Sequence, residues 1–94
     1  AALVAGVTLA RDLVSTPSNI KSPEWMVEQV QAAFEGVPNV TVTVMDEKAI
    51  EAAGMGALYG TGQGSTRPPR LVAVEYKGGK AGEAPLAFVG KGIT

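Results

Sequence analysis

LVAVEY, residues 71–76, and LAFVG, residues 86–90, decide the fold class, because Glu75 is the one charged side chain in either run and no polar residue alternates with the apolar ones. A strand with one face in water alternates apolar and polar residues with period two, whereas a strand covered on both faces reads as a near-continuous apolar run. The two runs therefore predict strands in a sheet with helices on both sides, an α/β arrangement. VTVTVM, residues 40–45, reads differently. Val40, Val42 and Val44 fall on one face and Thr41, Thr43 and Met45 on the other, which describes a strand with one drier face.

The segments around these strands carry helical spacing. Leu3, Val7, Ala10 and Val14 recur on one side, with Leu9 and Leu13 on another, predicting a helix over 1–14 that is apolar around much of its circumference and covered on two sides. STPSN stops it, since Pro17 pushes Thr16 out of helical geometry and Ser18 and Asn19 favour turns. Ser22, Pro23 and Glu24 start a second helix over 23–35: a hydroxyl cap, a proline at the first position and an acid at the positive end of the dipole. Its stripe is Met26, Val30, Ala33, Phe34 and Val37, and Gly36 is its left-handed terminator. Asp46 caps a third helix over 47–53, closed by Gly54, and MGALYG adds a helical turn before TGQGSTRPP runs on as loop. KGGKAGEA is a solvated loop. No repeat or interdomain linker interrupts the chain, so it reads as one domain. Three strands make a small sheet for such apolar faces, and with the first helix they imply surface that meets partners outside the chain.

Composition narrows the functions. The 94 residues hold eight Lys and Arg against nine Asp and Glu, a net charge of -1, with no field to gather nucleic acid or anionic lipid. There is no cysteine and no histidine, so disulfides, thiolates and the commonest catalytic base and metal ligand are absent. The apolar start, AALVAGVTLA, is short of the about 20 residues a membrane span needs. Its periodicity continues past Arg11 and Asp12 to Val14, which reads as a buried helix and not a signal-peptide core. A cytoplasmic location suits the lack of disulfides.

The candidate sites are few. GTGQGST, residues 60–66, has glycine amides that could cradle an anion, but a dinucleotide fingerprint counted from Gly60 and Gly62 puts Ser65 where the last glycine belongs and a strand where a helix belongs. It reads as a conformational loop. VGKGIT, residues 89–94, fails the phosphate-loop pattern, because Gly92 follows Lys91 and Pro85 stands where that pattern has glycine. Arg67 and Arg70, flanking two prolines, read as a pair that fixes a loop. Glu75 alone implies no catalysis, and Trp25 reads as packing beneath a loop. By spacing alone, Lys91 is a solvated lysine between two glycines at the carboxyl end of a strand, the end where α/β sheets build their sites.

The order of the segments adds to this. ARDLVSTPSNIKSPEW (10–25), VTVMDEKAIEAAGMGALYGTGQGSTRPPRLVAVEY (42–76) and PLAFVGKGIT (85–94) resemble, in sequence and order, the start of the catalytic domain of the leucyl aminopeptidases, also called cytosol aminopeptidases. GMGALYGTGQGS, RPPRL and VGKGIT in succession carry the likeness, which covers essentially the whole chain. The resemblance implies a partial three-layer α/β/α sandwich with a mixed β-sheet, of the zinc-peptidase or phosphorylase/hydrolase-like kind, with residues 1–94 as a single incomplete domain at the start of the catalytic domain. It places a later strand between the last two strands here.

It also implies hydrolysis of N-terminal amino acids from peptides with free N-termini by two divalent metal ions, manganese or zinc, that bridge an attacking water, in a cytoplasmic homohexamer. In that family the lysine of VGKGIT is a metal ligand, and this role carries onto Lys91. Only a neutral amine has a lone pair to give, and holding a free lysine neutral at pH 7 costs about 4.6 kcal/mol, which a nearby dication supplies. The family's motif continues into Phe-Asp-(Ser or Thr)-Gly-Gly, whose aspartate bridges the metals, so the companions of Lys91 are expected beyond Thr94. No catalytic residue is assigned within 1–94, and as a free chain these residues are expected neither to bind metal tightly nor to hydrolyse peptides. Ser15 departs from the family's common NTPSN, which bears on turn geometry. Two other readings stand beside this one: a non-catalytic α/β binding or scaffold module that keeps the family fold, and an anion binder centred on Gly60 to Ser65. Phe-Asp-(Ser or Thr)-Gly-Gly encoded after Thr94 selects the first, a stop codon the second, and tight nucleotide binding the third.

Overall fold

The computed structural model describes residues 1–93, so Thr94, the last residue of VGKGIT, lies outside the described residues. The elements run α1 (Ala2–Ser15), α2 (Pro23–Phe34), β1 (Val40–Met45), α3 (Glu47–Ala52), α4 (Gly56–Gly62) and β2 (Leu71–Tyr76). β1 and β2 pair antiparallel, with Val40 opposite Tyr76 and Met45 opposite Leu71. Period-two alternation then gathers Val40, Val42, Val44, Val72, Val74 and Tyr76 on one face and Thr41, Thr43, Met45, Leu71, Ala73 and Glu75 on the other. One more backbone bond, from the Lys77 N–H to the Asn39 carbonyl at 2.8 Å, extends the ladder.

The helix ends follow local chemistry. The Ser22 hydroxyl accepts from the Trp25 N–H at 3.1 Å, and the Asp46 carboxylate accepts from the Ala49 N–H at 2.9 Å, so both predicted caps satisfy amides the helix leaves open. At the other end of α3, Gly54 has φ +75. The Gly54 N–H donates to the Glu51 carbonyl and the Met55 N–H to the Ile50 carbonyl, the paired bonds of a Schellman ending. Gly36, at φ +73, likewise follows α2 in the left-handed region. Lys21 bonds the Leu13 carbonyl at 2.9 Å and so closes the open end of α1.

α2 and α3 pack against β1, and the buried apolar side chains are Val27 from α2 and Ile50 from α3, with Ile50 fully enclosed. Pro69, just before β2, is buried as well.

The α/β class holds, and three expectations change. Residues 86–90 are not a strand: a strand exists only through hydrogen bonds to a neighbour, and among the described residues none pairs with this segment, whose Phe88 and Val89 are 90% and 98% exposed. β2 is a strand but is not covered on both faces. Only Leu71 and Val72 are half-buried, because β2 has one neighbouring strand and no helix packs on it as α2 and α3 do on β1. The first helix forms over its predicted span without the expected cover, Leu13 being its one half-buried residue. A smaller difference concerns α4, which continues through Thr61 and Gly62 where loop was expected. The Thr61 hydroxyl bonds the Ala57 carbonyl at 2.7 Å, the i−4 pattern of a helix interior.

Candidate functional site

Lys91 follows a long stretch without regular structure. After β2 ends at Tyr76, Lys77 and Glu75 form an ion pair at 3.7 Å with both side chains about two-thirds exposed, a contact worth little in water. Glu83 then donates its N–H to the Lys80 carbonyl. From Ala84 to Ile93 the backbone has no regular element, and Lys91 is exposed. With no strand at 86–90, the sheet does not fix where the lysine amine stands. Among the described residues no group of three or more His, Cys, Asp or Glu comes together in a way that could hold a metal ion. A zinc or manganese centre takes several donors, so Lys91, with no such group beside it among the described residues, does not by itself fit the two ions that the resemblance implies.

The other candidates resolve into packing and tethering. The Arg67 guanidinium donates to the carbonyl of Ser18 at 3.1 Å and to that of Asn19 at 3.0 Å, clasping the turn of STPSN from almost fifty residues away. Its own N–H bonds the Ser65 hydroxyl, so Arg67 fixes two loops at once. Arg70 instead bonds the neighbouring Pro69 carbonyl. Trp25 is half-buried in the first turn of α2. In the glycine stretch, Gly62 ends α4 against the ring of Pro69: a Cβ there would lie 2.5 Å from the proline Cδ. That contact explains one glycine by close packing, with no anion invoked.

One cluster has no counterpart among the sequence candidates. Glu47 and Glu51 lie one turn apart on α3, and Tyr59 and Gln63 one turn apart around α4. The Gln63 amide donates to the Glu47 carboxylate at 3.4 Å and to the Tyr59 carbonyl at 3.3 Å. The nearby Glu51 carboxylate, by hydrogen bonding that favours the protonated phenol and then by its charge, holds Tyr59 above its ordinary value of 10.0. The i, i+4 spacing of each pair was visible in the sequence, but the packing of α3 on α4 that joins them was not.

Comparison with known proteins bears on the whole chain. The model of the cytosol aminopeptidase family's catalytic domain matches residues 8–94. A protein of Syntrophotalea carbinolica called probable cytosol aminopeptidase is 49% identical over 95% of this chain and 18% of its own length. One of the same name from Pseudomonas fluorescens is 46% identical over 99% of the chain and 19% of its own length. Another from Bradyrhizobium is 49% identical over 94% and 17%. The chain thus spans less than a fifth of the length of the relatives it matches. With the motifs from Ala10 to Lys91 falling inside the matched range, the chain belongs to the cytosol aminopeptidase family, within that family's catalytic domain.

Proposed function

We propose that residues 1–94 form the start of the catalytic domain of a metal-dependent aminopeptidase, which releases N-terminal amino acids from peptides with free N-termini. The observation that carries this reading is the match of the family's catalytic domain from residue 8 through the VGKGIT motif. In the complete protein Lys91 gives its neutral amine to one of two divalent ions, manganese or zinc, and the remaining donors come from other parts of the polypeptide. Its place between Gly90 and Gly92 leaves the backbone open to close approach by those groups. A cytoplasmic homohexamer is the assembly proposed with it.

The test uses the complete protein with Lys91→Arg and Lys91→Ala. Arginine keeps the charge but has no lone pair to offer, so both variants lose hydrolysis of a leucine anilide by on the order of 100-fold or more. Both also lose one bound metal ion per subunit by elemental analysis, while elution on a sizing column is unchanged. A Lys91→Arg protein with full metal content and full activity removes Lys91 from the metal site. Metal content and size unchanged, with no hydrolysis even in the unsubstituted protein, supports the scaffold reading instead.

A further inference from the structure

The residues that follow β2 suit water and not a core. KGGKAGEA, residues 77–84, holds three charged side chains, three glycines and two alanines, so no side chain in it gains much from burial, and Lys77, Lys80 and Glu83 would each lose hydration there. Its place at the surface therefore follows from composition, whatever the longer polypeptide adds around residues 1–94. Every residue of the stretch is exposed.

The chain is held where the stretch begins and released towards its middle. The Lys77 N–H bonds the Asn39 carbonyl at 2.8 Å, and its amine pairs with Glu75. Gly78 packs against the Tyr76 ring, with which an added Cβ would collide. From Gly79 that hold ends. Gly79 and Gly82 have open space where a Cβ would stand, and Gly82 turns the chain at φ +88. The backbone bond of this turn, from the Glu83 N–H to the Lys80 carbonyl, is long at 3.4 Å.

We propose that the Lys80–Ala81 bond is a processing site, cut by a trypsin-like serine protease while the protein stays folded. A protease takes up its substrate as an extended strand and so needs backbone that leaves its place easily, which exposed loop tips of small and polar residues provide. Water is the second reactant: the Lys80 carbonyl carbon gains its oxygen and ends as a carboxylate, and the Ala81 nitrogen takes a proton and leaves as an amine. The other basic residues are worse placed. Arg11 and Lys48 lie within α1 and α3, and Lys21 is half-buried with its N–H bonded to the Pro17 carbonyl. Arg67 precedes Pro68, whose ring closes the nitrogen of the bond to be cut. Arg70 is half-buried at the entrance to β2, and Lys77 is held by the ladder. Lys91 is exposed as Lys80 is, but Phe88, Val89 and Ile93 near it are residue types most often found inside, and Lys80 has no such neighbour between Lys77 and Ala84. The cut leaves the fold standing, because the β1–β2 pair, the Arg67 clasp and the buried Val27 and Ile50 all precede Lys80.

Brief digestion of the complete protein with trypsin under native conditions, with the fragments read by mass spectrometry, tests this. Within residues 1–94, cleavage after Lys80 is expected first, about tenfold or more faster than after any other lysine or arginine. The cut protein is expected to elute unchanged on a sizing column, and Lys80→Gln to abolish the cut without moving the melting temperature. A first cut elsewhere in residues 1–94 overturns the proposal. So does cleavage after Lys80 that proceeds only as fast as global unfolding, seen as a rate that rises with urea in step with the unfolded fraction. A cut protein that separates into fragments on the column overturns it as well, because the loop then holds the fold together. None of these readings uses the protein's own hydrolysis, so an inactive protein cut first after Lys80 sinks the proposed activity alone.

Discussion

Arg67 shows what one side chain does when its partners are backbone groups of a distant turn. Its two charged hydrogen bonds to Ser18 and Asn19 are exposed, which limits their contribution to about 1 kcal/mol. In the complete protein, Arg67→Ala is therefore expected to raise hydrogen exchange of the Ile20 and Lys21 amides, which bond Pro17 in that turn, by about fivefold. Arg67→Lys should recover little, because one ammonium cannot span two carbonyls as the planar fork does. Exchange unchanged in Arg67→Ala would show the turn holding itself. The sequence indicated a loop-fixing arginine but not what it holds, since a carbonyl has no sequence signature. Tyr59 gives a pH prediction. Its pKa is raised above 10.0, first by the hydrogen bond to Glu51 and then by that residue's charge, so the folded state keeps the phenol proton longer than the unfolded state does. The stabilisation is present below pH 10 and is lost as pH rises through the raised folded value. The difference between wild-type and Tyr59→Phe absorbance at 295 nm should place this transition above 10.0, and Glu51→Gln should bring it down.

At the level of elements, what was legible is what is decided within a few residues. The caps at Ser22 and Asp46 and the glycines after α2 and α3 sit where the sequence placed them, because a cap or a left-handed residue is recognised by its immediate neighbours. Asp46→Ala is expected to destabilise α3 by about 1 kcal/mol, and Gly54→Ala by about 1–2 kcal/mol through strain at positive φ. Gly62→Ala should cost about 1–3 kcal/mol for another reason, since its Cβ meets the stiff ring of Pro69. Amide exchange within α3 and α4 of the complete protein checks all three, and an unaffected Gly62→Ala means the ring can move away. The strand expected at 86–90 failed where such local reasoning ends. LAFVG has the composition of a covered strand, but pairing requires an edge that residues 1–93 do not bring to it. β2 shows the same limit less severely: it found one neighbour in β1, and its faces are open beyond Val72.

For the molecule as a whole, a motif marks Lys91 as the proposed metal donor, and among the described residues no cluster of acidic side chains that could hold a metal ion gathers with it. A metal centre is assembled from distant segments, so a reading confined to one segment can name a donor without giving its companions. The same arithmetic governs stability. Ordering a residue's backbone costs about 1–2 kcal/mol, and among the described residues this chain offsets that with few buried side chains, Val27, Ile50 and Pro69, beneath an exposed surface of 7404 Å². Small domains are already marginal when their cores are complete. The 94 residues expressed alone should therefore melt gradually, with helical circular dichroism declining over a broad range and the dye ANS bound before heating, as in a loosely packed state. The complete protein is expected to show neither feature. Calorimetry gives the decisive comparison, because a cooperative unit shows equal calorimetric and van't Hoff enthalpies. If the isolated chain meets that criterion without binding ANS, then Val27, Ile50 and the β1–β2 pair suffice as a core, and the exposed stripe of α1 contributes nothing that folding requires.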